Sequence, residues 1–345
     1  MTSHLVIAGR RVGPGEPCYI IAEAGSNHDQ SFEQALALID AAAAAGADAV
    51  KFQAIKYDAL WVPELETAEH RGFYRAVELP EEWLPELARV AQARGLHFLC
   101  SPTYLESVRL IDAAGAPAFK IASPQTVGDP PLLRAVAATG KPAIMSTGYA
   151  DAAQIDRAVR VLEQAGCRAF ALLHCVAEYP VSASRVNLRA METLNRRFNR
   201  PVGLSDHTEG IHMAPAAVAL GACIVEKHFT TDRGRQGPDH PFALEPGELA
   251  RMIAQIREVE QALGDGRRDE NTPREREQIE LLTVRAIART EIPAGSPLTA
   301  DMVVFRRAPR GLPAGDFEAL SDPIAAERIP AWTPIVEHMI VRGRS

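Results

Sequence analysis

The sequence predicts an α/β fold: a (β/α)8 barrel of the TIM type, followed by a small, mostly β domain. Three observations predict it. Short apolar runs alternate eight times with Ala/Leu-rich stretches of helical period. Gly46, Gly95, Gly115, Gly140, Gly166 and Gly221 each stand just past one of those stretches, where a left-handed C-cap is needed. The alternation stops near residue 263, and short β-like runs broken by Pro and Gly follow it.

Strands are expected at 19–25, 49–53, 97–101, 118–123, 142–147, 170–175, 202–208 and 223–230. Helices are expected in stretches such as 32–45, 81–94, 104–114, 131–139, 154–164 and 211–220, with 246–263 as the eighth. Eight such units joined by short links match the ~250 residues usual for this barrel. Residues 264–276 (GDGRRDENTPRER) are polar, turn-rich and unpatterned, and read as a linker. The division expected is a barrel over 1–263, a linker over 264–281 and a small β domain over 282–345. A domain of that size is marginal alone and gains from docking on something larger.

Composition narrows the class. The chain has 345 residues and a net charge of −7 with no basic stripe, which argues against nucleic acid as a partner. Cys18, Cys100, Cys167, Cys175 and Cys223 form no CxxC pair and fall in or beside predicted strands, as core thiols of a reducing cytosol would. The first residues lack a long apolar stretch and no apolar run approaches ~18 residues, so a cytoplasmic protein without a membrane span is expected.

Barrel enzymes place their chemistry at the C-terminal ends of the strands. Here that rim reads Glu23 with Asn27 and His28; Lys51 and Gln53; Ser101; Lys120 and Ser123; Ser146 and Thr147; His174; Ser205 and His207; Glu226 and His228. Period-two alternation puts Ser205 with His207 on one face, and Glu226 with His228 on one face. Two imidazoles on neighbouring strand ends can form half of a divalent-metal site. Lys51 and Lys120 end apolar stretches, where lysine is rarely left unpaired. They are either salt-bridged fillers of a barrel layer or, with Ser123 and Ser146, a phosphate cradle. Glu23 could pair with one of them, and His174 has the look of a core histidine bonded to backbone.

The segments IAEAGSNH (21–28), VKFQ (50–53), FKIAS (119–123), PAIMSTG (142–148), LLHCVAEYP (172–180), GLSDHT (203–208), EKHFT (226–230) and GPDH (237–240) occur in an order that resembles the sialic acid synthase family. These are nonulosonic acid synthases that consume phosphoenolpyruvate. The C-terminal segment resembles that family's small antifreeze-like (SAF) domain. The resemblance implies condensation of phosphoenolpyruvate with an open-chain N-acylated amino sugar, giving a nine-carbon 2-keto-3-deoxy acid and phosphate. It makes His207 and His228 ligands of a divalent metal, with Mn2+ expected and Mg2+ or Co2+ as alternatives. Glu23 resembles the acid beside the metal-bound water or aldehyde. Lys51, Lys120, Ser123, Ser146 and Ser205 fall where the family holds phosphoenolpyruvate, and Gln53, Tyr179 and Asp239 where it contacts the sugar. Arg307, in FRRAPRGLP (305–313), matches an arginine that reaches a partner subunit's site, which implies a homodimer with exchanged SAF domains.

The chain also departs from the family pattern. KIASPQ (120–125) replaces KIASGE, so Gln125 stands where a catalytic glutamate is usual; it can hydrogen-bond but cannot carry a proton. CSPTY (100–104) replaces a segment ending in aspartate, Ala177 stands where Ser, Thr or Asn is common, and Pro309 and Arg310 replace smaller residues. The altered positions lie mainly on the sugar side, leaving N-acetylmannosamine and a 2,4-diacetamido-6-deoxyhexose both open as acceptors. The rival readings are a seven- or eight-carbon sugar acid synthase, which the SAF-like tail disfavours, and a non-catalytic barrel that binds an acidic sugar.

Overall fold

The computed structural model describes residues 4–65 and 67–342, so the outer limits of the expected domains lie outside the described residues. The chain divides into two compact units between Gly264 and Asp265.

In the first unit a hairpin, β1 (Leu5–Ile7) and β2 (Arg10–Val12), precedes eight parallel strands. These are β3 (Tyr19–Gly25), β4 (Ala49–Ala54), β5 (His97–Pro102), β6 (Phe119–Ile121), β7 (Ala143–Ser146), β8 (Phe170–Cys175), β9 (Val202–Asp206) and β10 (Ile224–His228). Their order is β5-β4-β3-β10-β9-β8-β7-β6, with β5 and β6 brought alongside each other, so the sheet curls into the expected barrel.

Two apolar layers follow from strand alternation. Ile20, Ala22, Val50 and Phe52 face the helices, among them Phe32–Ala45 and Pro246–Leu263. Tyr19, Ile21, Ala49, Leu99, Ala118, Ile144, Ala171 and Ile224 fill the barrel interior, together with Leu5, Ile7 and Val12 of the hairpin. The hairpin therefore plugs the barrel at the end where the strands begin. The hairpin has no counterpart among the expected strands, because three-residue strands carry no readable period.

The six cap glycines all adopt positive φ, from 70° at Gly140 to 94° at Gly221. Two helices outside the expected set, Tyr57–Leu60 and Ala68–Ala76, lie in the long link after β4. All five cysteines are buried and free. Among the described residues no helix is long and apolar enough to cross a membrane.

The second unit opens with a helix, Pro273–Leu282, in the stretch expected to be linker. Thr272 and Glu275 form a reciprocal capping box with Pro273 at the first position, enough to start a helix in a polar segment. Two antiparallel pairs follow, β11 (Val284–Ala288) with β12 (Val303–Arg307) and β13 (Pro323–Ala325) with β14 (Ile340–Arg342). Ala286, Ile292, Leu298, Ile329 and Ile335 form the core of this unit. The buried Arg285 donates to the Ala308 and Gly311 carbonyls and fixes the turn that follows Arg307.

Candidate active site

The inward columns of the strands change character along the barrel. On β3, Tyr19 and Ile21 give way to Glu23; on β4, Ala49 to Lys51 and Gln53; on β10, Ile224 to Glu226 and His228. Register aligns His228 with Glu23 and Glu23 with Lys51 across three adjacent strands. The polar ends thus meet at one level of the mouth, the end at which barrel enzymes work.

There they line a single cavity of about 470 Å³. It gathers Glu23, Lys51, Gln53, Lys120, Ser123, Gln125, Ser146, Tyr179, Ser205, His207, Glu226, His228 and Asp239. Of the rim residues, Asn27, His28, Ser101, Thr147 and His174 do not line it. His174 lies 2.6 Å from the Val186 carbonyl, the backbone-bonded histidine its sequence context suggested. Arg307 belongs to the second unit, on β12.

The floor is an ionic lattice. Lys51 pairs with Glu23 at 2.7 Å and donates to Ser101 at 3.1 Å. Gln53 donates to the other oxygen of Glu23 at 2.7 Å. Lys120 donates to Ser146 at 2.7 Å and lies 3.3 Å from Glu226, which is 3.7 Å from Lys51 and accepts from Ser205 at 3.0 Å. Burial would push the Glu226 carboxyl up, but the Lys120 and Lys51 ammonium groups outweigh it and bring it down to about 2. Burial lowers Lys120 despite Glu226, whereas for Lys51 the two glutamates overcome the same burial and raise it. A deeply buried charge is tolerable only when paired in this way.

Glu226, on the rim beside His228, takes a role that its sequence position does not state: it is shared between the two lysines. The signal was present: alternation sets it on the His228 face, one turn of the pleat deeper. The cavity also has an apolar wall that was not foreseen, built from Ile55, Leu60, Trp61, Phe73 and Val77 of the link after β4.

The two imidazoles stand side by side, ring centroids 5.4 Å apart, with the Tyr179 ring tilted by 34° against His207 at 4.1 Å. His207 Nδ1 lies 2.9 Å from the Val176 carbonyl and so donates to it. Burial and the neighbouring His228 push this ring down to about 3, leaving Nε2 bare at ordinary pH. His228 Nδ1 is buried without a hydrogen-bond partner. Two imidazoles set side by side, one with a buried nitrogen that has no partner, suit a shared divalent cation. Among the described residues no cluster of three or more His, Cys, Asp or Glu is arranged as a metal cage. Any ion here would be held by the two rings with water and substrate.

The sequence matches the NeuB family over residues 38–268. The chain belongs to that family. It is 37% identical to the N,N'-diacetyllegionaminic acid synthase of Campylobacter jejuni, an alignment covering 89% of this chain and 96% of the relative. The crystal structure of the Leptospira borgpetersenii sialic acid synthetase, in complex with citrate, superposes with a TM-score of 0.73 at 34% identity, over 81% of this chain and 96% of that one. The Bacillus subtilis spore coat polysaccharide biosynthesis protein SpsE superposes with a TM-score of 0.69 at 35% identity, over 99% of this chain and all of the other.

Within this NeuB-family chain the departures noted in the sequence are unequally placed. Tyr104 is buried away from the cavity, its hydroxyl donating to Glu81. Gln125 does line the cavity: Nε2 donates to the Thr103 carbonyl at 3.3 Å, while Oε1 is buried without a partner.

Proposed function

We propose that this protein is a nonulosonic acid synthase that condenses phosphoenolpyruvate with the open-chain aldehyde of an N-acylated amino sugar. The acceptor is N-acetylmannosamine or a 2,4-diacetamido-6-deoxyhexose. The observation that carries the reading is the convergence of Lys51 and Lys120 with His207 and His228 on one cavity. Two ammonium groups with Ser123, Ser146 and Ser205 suit a polyanion bearing phosphate and carboxylate. Membership of the NeuB family supports the same reading.

The C2=C3 π pair of phosphoenolpyruvate forms the bond from C3 to the aldehyde carbon, and the carbonyl π pair moves to the aldehyde oxygen, which takes up a proton and becomes a hydroxyl. Water then adds at C2, and the bond from C2 to the bridging oxygen breaks to release phosphate. A divalent cation on His207 and His228, taken as Mn2+ with Mg2+ or Co2+ as alternatives, would supply Lewis acidity toward the aldehyde. Glu23, fixed by Lys51 and Gln53, takes the proton of the attacking water. Gln53, Tyr179 and Asp239 bind the sugar, and Gln125 meets a sugar substituent that donates a hydrogen bond. Binding both substrates on one rigid rim converts a bimolecular encounter into an oriented one.

The functional unit in this proposal is a homodimer with exchanged C-terminal units, in which Arg307 reaches the partner's sugar. The test is a panel of amino sugars with phosphoenolpyruvate, read as phosphate release. Release that depends on both an amino sugar and a divalent cation is expected. No release with any amino sugar would overturn the reading.

A further inference from the structure

A second buried polar chain lies beside the cavity and takes no part in it. His240 is fully buried at the start of the short turn His240–Phe242 in the loop after β10, one residue beyond Asp239. Its Nε2 is 2.8 Å from Asp29 Oδ1, and since a carboxylate only accepts, the ring N–H donates there. Its Nδ1 meets the Thr230 hydroxyl at 2.7 Å. The other Asp29 oxygen accepts from Arg235 at 2.6 Å. Hydroxyl, imidazole, carboxylate and guanidinium thus form one chain that starts at the base of the loop after β10, meets the loop after β3 at Asp29 and returns to the first loop at Arg235.

What this line secures is the residue next to it. Asp239 Oδ2 accepts both the backbone N–H and the hydroxyl of Ser26, each at 2.9 Å. It lies so close over Gly25, which has φ +52°, that a Cβ there would stand 2.3 Å from that oxygen and 3.2 Å from His228 Nδ1. The space for Asp239 is therefore made by a missing side chain. Gly237 makes room on the other side: φ is +157°, and a Cβ would fall 2.8 Å from the His240 ring. Backbone of the loop is tailored to both residues.

We propose that His240, bridging Thr230 and Asp29, is the positioning residue that holds Asp239 in the acceptor half of the cavity. It touches neither substrate; it fixes the loop that carries the contact. The inference rests on the proposed synthase reading for its kinetic consequence, because Asp239 is taken there as a sugar contact. The clamp itself is a statement about the loop and can be tested without turnover. Displacement of a contact group by an ångström costs up to about a hundredfold, and here the loss falls on one substrate.

The experiment compares His240→Ala, Asp29→Asn and Thr230→Val in the full-length protein. Asp29→Asn keeps size and suits the positive φ of 51° at that position, so it guards against simple misfolding. Amide hydrogen exchange over 231–242 should accelerate in His240→Ala and Asp29→Asn while the strand amides keep their protection. Steady-state kinetics should show the acceptor KM raised about tenfold or more, with the phosphoenolpyruvate KM within about twofold of the parent. The His240→Ala, Asp29→Asn double variant should be no worse than the worse single one. Unchanged loop exchange overturns the clamp, and equal rises in both KM values overturn its selectivity. A parent protein that releases no phosphate instead overturns the synthase reading, and the exchange result still decides the clamp.

Discussion

The Glu226 carboxylate lies 3.3 Å from the Lys120 ammonium, both buried where the barrel opens. This pair, extended to Lys51 at 3.7 Å, neutralises the cationic floor that an anionic substrate would meet. Removing one member leaves a buried charge uncompensated, which costs about 3–5 kcal/mol. Glu226→Gln should therefore lower the melting temperature. Added phosphoenolpyruvate should recover more stability in the variant than in the parent, because the ligand replaces the missing anion. A variant that melts like the parent, with no larger ligand response, would show that Glu226 does not balance the lysines.

The route to this lattice was only partly legible. Strand alternation located Glu23, Lys51, Lys120, His207 and His228 because barrel strands are short and their last inward residue has one place to go. Glu226 had the same signature, but an acid among lysines looks like packing until distances show that it is shared between two of them. The aromatic wall was invisible: Trp61 and Phe73 lie in a link whose helices are short and whose strand partners are remote in sequence. The start of the helix Pro273–Leu282 is legible in the sequence even though its composition reads as linker. TPRE at 272–275 is a capping-box pattern with proline at the first position, and polar composition hid it. The clamp of His240 on Asp29 joins residues 211 apart in sequence, a relation no local pattern carries.

For the metal, chelation should abolish phosphate release and Mn2+ or Mg2+ should restore it. His207→Ala and His228→Ala should each lose bound cation by elemental analysis, independently of turnover. With two protein ligands, loss of either ring should weaken retention by about ten- to a hundredfold or more. Full activity after exhaustive chelation would remove the cation from the proposal.

Gln125→Glu probes the acceptor half. The native amide orientation is fixed, since only Nε2–H can serve the Thr103 carbonyl, and it leaves Oε1 facing no partner. A carboxylate loses that donor and turns an oxygen against the Thr103 carbonyl. The ratio of kcat/KM values among amino sugars should shift by about tenfold, while the phosphoenolpyruvate KM moves little. Equal loss toward all sugars with weakened phosphoenolpyruvate binding would place Gln125 in the other half of the cavity.

The assembly prediction turns on reach. The helices Pro246–Leu263 and Pro273–Leu282 leave nine residues, 264–272, between them, which span about 30 Å when extended. That is shorter than a linker running to residue 276 would allow, yet it still exceeds half the width of a typical barrel and permits crossing to a neighbouring subunit. Leu281 and Leu282 are exposed on the second helix, and a partner surface would bury them. Arg306, Arg307 and Arg310 crowd one turn, fixed from behind by Arg285, and would complement an acidic ligand. Two inactive variants supply the measurement: Arg307→Ala and Glu23→Ala, mixed after subunit exchange verified by mass. If Arg307 acts across the dimer, each heterodimer holds one composite site with both residues intact and one with neither, so the mixture should regain about a quarter of parental activity. If Arg307 serves its own barrel, every site in every heterodimer lacks one residue, and the mixture stays as inactive as its components.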